Sequence, residues 1–336
     1  MQCTVISILL YFYMKLVVFS SCINEEKTIG KVLDLVPKRI KGIDKIEKLV
    51  IDDGSTDNTA KIAREKGAKV FSNGSQKHLA YSFQKAVSRA LDIGADLAVN
   101  IDGDLQFNPK EISKLVEPII KQEADFVAGD RFTDMNSSKR RKPKDMPASK
   151  YYGNILGTYI ISKLSGRKFK DVTCGFRAYS REALLNLNIN SKYTYTQESF
   201  QVLASKKINI KQVPVSVKYY PGRKSRVVLG VFKFITGSAL NILRAFRDFA
   251  PLSFFGILSL ISFSIGLGLS IFLFVHLVRT RSFTPYKFIG FGAIYFISLS
   301  LVTFLFGLLA DMFDRFLNNQ EKVLYQLKKL SYKNNK

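Results

Sequence analysis

With 336 residues, and 51 Lys and Arg against 27 Asp and Glu, the chain carries a formal net charge of +24. Such an excess points to polyanionic partners: nucleic acid, anionic lipid headgroups or phosphorylated substrates. Three widely spaced cysteines, Cys3, Cys22 and Cys174, exclude a disulfide framework and a cysteine-built metal site, and fit a reducing compartment.

Residues 1–14 form a leader that lacks the basic start and small-residue cleavage site of a signal peptide, and Met14 is an alternative start. From residue 15 short apolar runs alternate with helical segments, which predicts an α/β domain with a largely parallel, Rossmann-like sheet over residues 15–228. A strand over 16–21 is followed by a helix with Ile29, Val32, Leu33 and Val36 on one face, ending near Pro37. The next strand, 48–51, runs into DDGSTDNT, and its helix is capped near Asp57 and stopped by Gly67. Val70 and Phe71 make a short third strand, and the helix over 77–92 places Leu79, Phe83, Val87 and Leu91 at helical spacing. A fourth strand, 97–101, leads into NIDGDLQFNP. There Asn108 and Pro109 cap and open a helix ending near Gln122. Residues 126–129 form a fifth strand. The stretch 133–150, TDMNSSKRRKPKDMPASK, is polar, basic and broken by proline; it reads as a disordered surface loop or as a mobile basic lid.

The character then changes. Residues 229–250 mix large apolar side chains with Lys233, Arg244, Arg247 and Asp248, as an interfacial amphipathic helix does. Within 251–313, two uncharged apolar runs each exceed the roughly 20 residues that cross a bilayer. Gly266, Gly268 and the many serines suit close packing of two such helices. Residues 314–336 form a basic tail.

Ligands of doubly wound sheets bind beyond the carboxyl ends of the strands. Asn24-Glu25-Glu26, Asp52-Asp53 and Asp102 to Gln106 all follow predicted strands. Acidic clusters converging on one edge need a cation or donors to compensate them. In an extended segment, residues two apart face the same side, roughly 7 Å apart, so Asp102, Asp104 and Gln106 could share one bound assembly. Hard oxygen ligands suit Mg²⁺ or Mn²⁺, which complete their shells with substrate phosphates. Alone, a DxD pattern is equally an exposed acidic turn; after an apolar strand and downstream of DDGSTD it points to a metal–diphosphate site.

The ordered set SSCINEEKTI, VIDDGSTDNT, NIDGDLQFNP, AGDRF, DVTCGFRAYSREAL, YTYTQESF and YYPGRKSRV resembles the inverting family 2 glycosyltransferases of GT-A fold. Within them it is similar to the membrane-anchored dolichyl- or polyprenyl-phosphate sugar synthases, and the tail LLADMFDRFLNNQEKVLYQLKK is similar to archaeal members. The resemblance implies that Asn24, Glu25 and Asp53 bind the nucleoside of the donor, with Cys22 in the same loop. Asp102 would contact ribose or sugar, and Asp104 and Gln106 would ligate the metal. The loop departs from the common P-A-Y-N-E, carrying Ser21, Cys22 and Ile23 before Asn24. Asp171 stands at the position of an active-site acid, or pairs structurally with Arg177. Glu198 is a carboxylate base near the acceptor, or a helix N-terminal acid stabilised by the dipole.

A phosphate monoester is largely dianionic at neutral pH, so it needs cationic placement rather than a strong base. By resemblance, Arg131 and Arg226 hold acceptor or donor phosphates and Lys150 stands where relatives often have Arg. Arg223 is a further phosphate-binding candidate, Arg140 and Arg141 add to the cations of the 133–150 stretch, and its lysines Lys139, Lys142 and Lys144 are solvated or lipid-facing. The expected reaction moves one hexose, from a donor of the GDP-mannose or UDP-glucose type, to dolichyl or polyprenyl phosphate. Transfer to a polysaccharide or glycolipid hydroxyl is the alternative, although the chain has no Trp for the Q-x-x-R-W motif of processive synthases. Nucleic acid is not an expected partner, because the acidic motifs would repel its backbone. Two spans return the chain to the side it left, which would place the catalytic domain and tail together in the cytosol, on a cell or endoplasmic-reticulum membrane. Basic residues before the first span and after the second favour that orientation, while Arg279, Arg281 and Lys287 in the connector oppose it.

Overall fold

Leu16, Val17, Val18 and Phe19 are all buried, so the first strand is covered on both faces, as the strands of a parallel sheet are. The computed structural model describes residues 13–135, 137–189, 195–220, 247 and 250–332. Most of the expected interfacial helix, together with Arg223 and Arg226, lies outside the described residues. The chain divides into two compact units, Met1–Lys224 with Leu327–Lys336, and Ser225–Gln326.

The first unit is built on a seven-stranded sheet: β1 (Lys15–Cys22), β2 (Lys45–Asp52), β3 (Lys69–Ser72), β4 (Leu97–Asn100), β5 (Phe126–Asp130), β6 (Arg177–Ser180) and β7 (Ile210–Pro214). Their order is β3-β2-β1-β4-β6-β5-β7. The pairs β1–β2, β1–β4, β2–β3 and β5–β7 are parallel, whereas β6 runs antiparallel to both β4 and β5. Its amino end therefore lies at the edge where β4 and β5 have their carboxyl ends.

Alternation along the strands divides the core into two layers. Leu16, Val18, Leu97 and Val99 pack with Ile112, Leu115 and Val116 of α4 (Ile112–Ile120) and with Val32 and Val36 of α1 (Ile29–Leu35) and its C-cap. On the opposite face Phe19 meets Phe83 of α3 (Leu79–Asp92), and an aromatic chain continues through Tyr179, Phe126 and Phe200. The helix after β2 is α2 (Thr59–Glu65); its N-cap is Asn58, whose side chain makes no capping bond, and the expected Asp57 stands one residue earlier, accepting from Thr59 N at 3.0 Å. Asn108 likewise accepts from Lys110 N at the start of the one-turn helix before α4.

Three further helices complete this unit: α5 (Ala148–Leu164), α6 (Arg181–Asn186) and α7 (Thr196–Ser205). The described residues of 133–150 do not read as a disordered loop. They fold back as a tight turn, with Arg141 N donating to Phe132 O at 2.7 Å and Asp134 N to Lys139 O at 2.9 Å.

The second unit contains α8 (Pro251–Thr280) and most of α9 (Lys287–Ser331), both long and apolar enough to cross a bilayer. Few of their residues are buried, so they are not the core helices of a globular domain. Their contact is made through small residues. Ser259 Oγ donates to Ser300 O at 2.9 Å, and a Cβ on Gly266 would lie 2.8 Å from Ile297 Cγ1. A Cβ on Gly307 would lie 3.0 Å from Phe255 Cβ. Gly268, expected in the same contact, has nothing within 4 Å of its Cβ position. The basic tail continues α9 as helix, and its last turns belong to the first unit. Lys328 Nζ there donates to Leu187 O at 3.1 Å and to Asn188 Oδ1 at 2.6 Å.

Candidate active site

The ends of β1, β2, β4 and β5 and the start of β6 bring the quoted motifs to one edge of the sheet. After β1, Cys22 is buried with its Sγ 3.2 Å from Ser20 Oγ, and burial pushes its thiol up to about 12. Asn24 takes a left-handed conformation (φ 50°), which turns the chain so that its Oδ1 accepts from Thr56 N at 2.8 Å and its N donates to Ser55 Oγ. Glu25 N donates to Thr59 Oγ1 at 2.8 Å. The first loop is thus laced to DDGSTDNT. Asp53 is 5% exposed and accepts from Asn73, Ser82, Lys77 N and His78 N, so its carboxylate fixes the 73–82 segment as one wall of the edge.

The DGDLQ segment departs from the extended geometry expected of it. It is a turn, with Leu105 at φ 59° and Asp104 Oδ1 accepting from Gln106 N at 3.0 Å. The turn, not strand alternation, brings Asp104 beside Asp102 and ties Gln106 to Asp104 through its backbone N–H. Gly103 permits it: a Cβ there would sit 2.5 Å from Cys22 Sγ. Burial, and then the neighbouring Asp104, push the Asp102 carboxyl up to about 7, against the pull of Arg131. A divalent cation would relieve this crowding of carboxylates. Among the described residues no group of three or more His, Cys, Asp or Glu is placed to hold a metal ion by itself. Oxygen donors such as Asp104 and Gln106 would suit Mg²⁺ or Mn²⁺ with phosphate oxygens completing the shell.

Arg131 follows β5 directly. The structure pairs Asp171 with it, not with Arg177: Arg131 Nε lies 2.7 Å from Asp171 Oδ2 and Nη2 lies 3.0 Å from Oδ1. Asp171 is fully buried and also accepts from Thr173 N and Oγ1. Burial alone would raise its pKa, but the charge and hydrogen bonds of Arg131 outweigh burial and hold it below the usual carboxylate range. Arg177 instead donates to the carbonyls of Cys174, Val172 and Thr196 and lies over the rings of Phe126, Tyr195 and Phe200. Lys150, in the first turn of α5, reaches toward the same edge. Burial and Arg131 lower its pKa, while Asp104, Asp102 and Asp171 oppose them. Glu198 stands in the first turn of α7, the position of a helix N-terminal acid.

Residues 17–187 match the family model described as glycosyl transferase family 2. The chain belongs to that family. The transferase is 28% identical over 310 residues to a glycosyltransferase of Haloferax volcanii, AglJ, covering 90% of this chain and 95% of that one. It is 30% identical to the UDP-N-acetylglucosamine–dolichyl-phosphate N-acetylglucosaminyltransferase of Methanococcus voltae, over 62% of this chain and 88% of the relative. A dolichyl-phosphate hexose transferase of Haloferax volcanii is also 30% identical, over 63% and 86%. Among solved structures, glucosyl-3-phosphoglycerate synthase from Mycobacterium tuberculosis, in complex with Mn²⁺, UDP and glucosyl-3-phosphoglycerate, shares the fold. The TM-score is 0.52 at 19% identity, covering 70% of this chain and 79% of that one.

Several residues of the candidate site were not singled out from sequence. Asn100 Nδ2 donates to Gly175 O at 2.7 Å and to Tyr195 Oη at 2.6 Å, and a Cβ on Gly175 would come within 3.1 Å of Asp102 Oδ2. These three form the floor beneath Asp102. Tyr219 Oη accepts from Arg131 Nη1 at 3.2 Å. Tyr195 and Tyr219 lie inside quoted motifs, so the signal was the motif; only the packing selects the residue.

Proposed function

We propose that this glycosyltransferase moves one hexose from a nucleotide-sugar to a dolichyl or polyprenyl phosphate at the cytosolic face of a membrane, with inversion at the anomeric carbon. The observation that carries this reading is the pairing of charges at one edge. Crowded carboxylates, Asp102 and Asp104, lie on the β4 side, and the cations Arg131 and Lys150 are placed beside them from β5 and α5. The carboxylates suit a metal-bound diphosphate, and Lys150, with the buried Arg131 held behind it by Asp171, suits the phosphate of the acceptor. Relatives named for dolichyl phosphate, and two helices able to cross a bilayer, support a lipid acceptor.

In this reading Asn24 and Glu25 shape the nucleoside pocket together with the wall that Asp53 fixes, and Cys22 packs beneath it. Asp102 faces the donor sugar, and Asp104 and Gln106 hold Mg²⁺ or Mn²⁺. When bound, the cation supplies charge stabilisation to the departing nucleoside diphosphate. The acceptor phosphate oxygen forms the new bond to the anomeric carbon as the bond to the diphosphate breaks. No side chain has to deprotonate a dianion. Asp171, saturated by Arg131 and Thr173, acts as a buried counter-charge that aims the guanidinium. Glu198 is assigned to the acceptor side, and phosphate binding is also assigned to Arg223 and Arg226, which lie outside the described residues.

The test is transfer by the purified full-length protein, using a panel of radiolabelled nucleotide-sugars with polyprenyl phosphate or unphosphorylated polyprenol. The phosphate should be glycosylated and the alcohol inert, with activity lost in chelator and in Asp104→Ala. Equal turnover of the alcohol, or full activity of Asp104→Ala in chelator, would overturn the reading.

A further inference from the structure

The two cations of the site are held in different ways. Arg131 is tied down: Nε and Nη2 are taken by Asp171 and Thr173, and Nη1 by Tyr219. Lys150 has no such lock. Its Nζ lies 5.1 Å from the centroid of the Tyr219 ring, within the range of a cation–π contact, and among the described residues it forms no ion pair or hydrogen bond. The distinction matters chemically. A carboxylate partner would orient an ammonium and neutralise it; an aromatic face orients it and leaves its full charge for an incoming anion.

Tyr219 is itself fixed by the strip that bears it. Val215 N donates to Asp130 O, Lys218 N donates to Gln106 O at 2.8 Å, and Val217 bridges to Phe107. The strip therefore runs alongside the turn that carries Asp104 and Gln106. One ring thus touches the guanidinium through its hydroxyl and the ammonium through its face, from a backbone anchored to the proposed metal loop.

We propose that Tyr219 is a positioning residue, its ring face seating the Lys150 ammonium against the phosphate of the acceptor. This rests on the lipid-phosphate reading above and goes beyond it by assigning the ring a role in acceptor affinity and not in donor binding.

The experiment uses the full-length protein in lipid nanodiscs, with initial rates measured against polyprenyl phosphate and, separately, against the nucleotide-sugar. Tyr219→Met fills the space without an aromatic face, and Tyr219→Leu is the second such variant should the first not fold. Either should raise KM for the lipid phosphate roughly five- to thirtyfold, leaving KM for the donor within about twofold. Tyr219→Phe keeps the ring and should rescue acceptor KM to within about threefold of the parent. Lys150→Ala should reproduce the Met variant, and the double variant should be no worse than either single one. Impairment of Tyr219→Phe equal to that of Tyr219→Met, a shift in donor KM instead, or additive losses in the double variant would overturn the proposal alone. Failure of the parent protein to glycosylate any lipid phosphate would overturn the acceptor reading and this proposal with it.

Discussion

Replacing Asp171 by Asn removes one partner of a buried ion pair while keeping its size. Both side chains are nearly inaccessible, 6% exposed for Arg131 and 0% for Asp171, so water cannot take over the lost interaction. Removing one member of such a pair typically costs about 3–5 kcal/mol, because the other charge stays buried and uncompensated. In a domain of this size, each kcal/mol lowers the melting temperature by about 2–4 °C, so the variant should melt about 6–20 °C early. The neighbouring Cys174 offers the assay. It is fully buried and its thiol is pushed up to about 12 by burial, so a thiol-reactive fluorophore should label it only on unfolding, in a Cys3→Ser background. Arg131→Met combined with Asp171→Leu removes both charges and should recover most of the stability without recovering transfer. The pH dependence has a definite sign. Because Asp171 is held below the usual range, the pair contributes fully above the unfolded carboxylate value of about 4, and its contribution is lost as pH falls through the lower folded value. The gap between parent and variant should therefore close in acid. An Asp171→Asn protein that melts within a degree or two of the parent at neutral pH would refute the argument.

Gly103→Ala places a Cβ 2.5 Å from Cys22 Sγ, so overpacking of about 1–3 kcal/mol should distort the Asp102–Asp104 turn and weaken Mn²⁺ binding; adding Cys22→Ala should restore it, as titration by manganese EPR would read. For the proposed orientation, a Cys at Ser282 in a cysteine-free background should react with an impermeant reagent outside intact cells. A Cys at Ser331 should react only after the membrane is opened, and the reverse pattern would put the site on the wrong face.

The first five strands are legible in the sequence because each is an apolar run that ends in a polar motif. β6 and β7 are not. RAYS is four residues long and starts with a charged side chain, and it becomes a strand only because β4 and β5 pair with it on both sides. The acidic motifs of the site are readable for the same reason as the strands before them. The partner of Asp171 is not, since Arg177 is six positions away in sequence while Arg131 is 40 away and is brought close by the sheet. The spacing of Asp102, Asp104 and Gln106 is compatible with a strand or a turn, and the left-handed Leu105 that decides between them leaves no mark in composition.

The antiparallel β6 has a consequence for how such a chain can vary. Between Asp130 and Arg177 the polypeptide leaves the sheet and re-enters it at the same edge, so the sheet does not dictate the length or shape of the excursion. A parallel connection would have to cross the whole domain and would constrain its contents to a helix of matching span. Here the excursion behaves as a cassette. It carries Arg131, Lys150 and Asp171, and its outer part can change length without altering any strand pairing, while its last residues, Cys174 to Phe176, stay committed to the core and to the floor beneath Asp102.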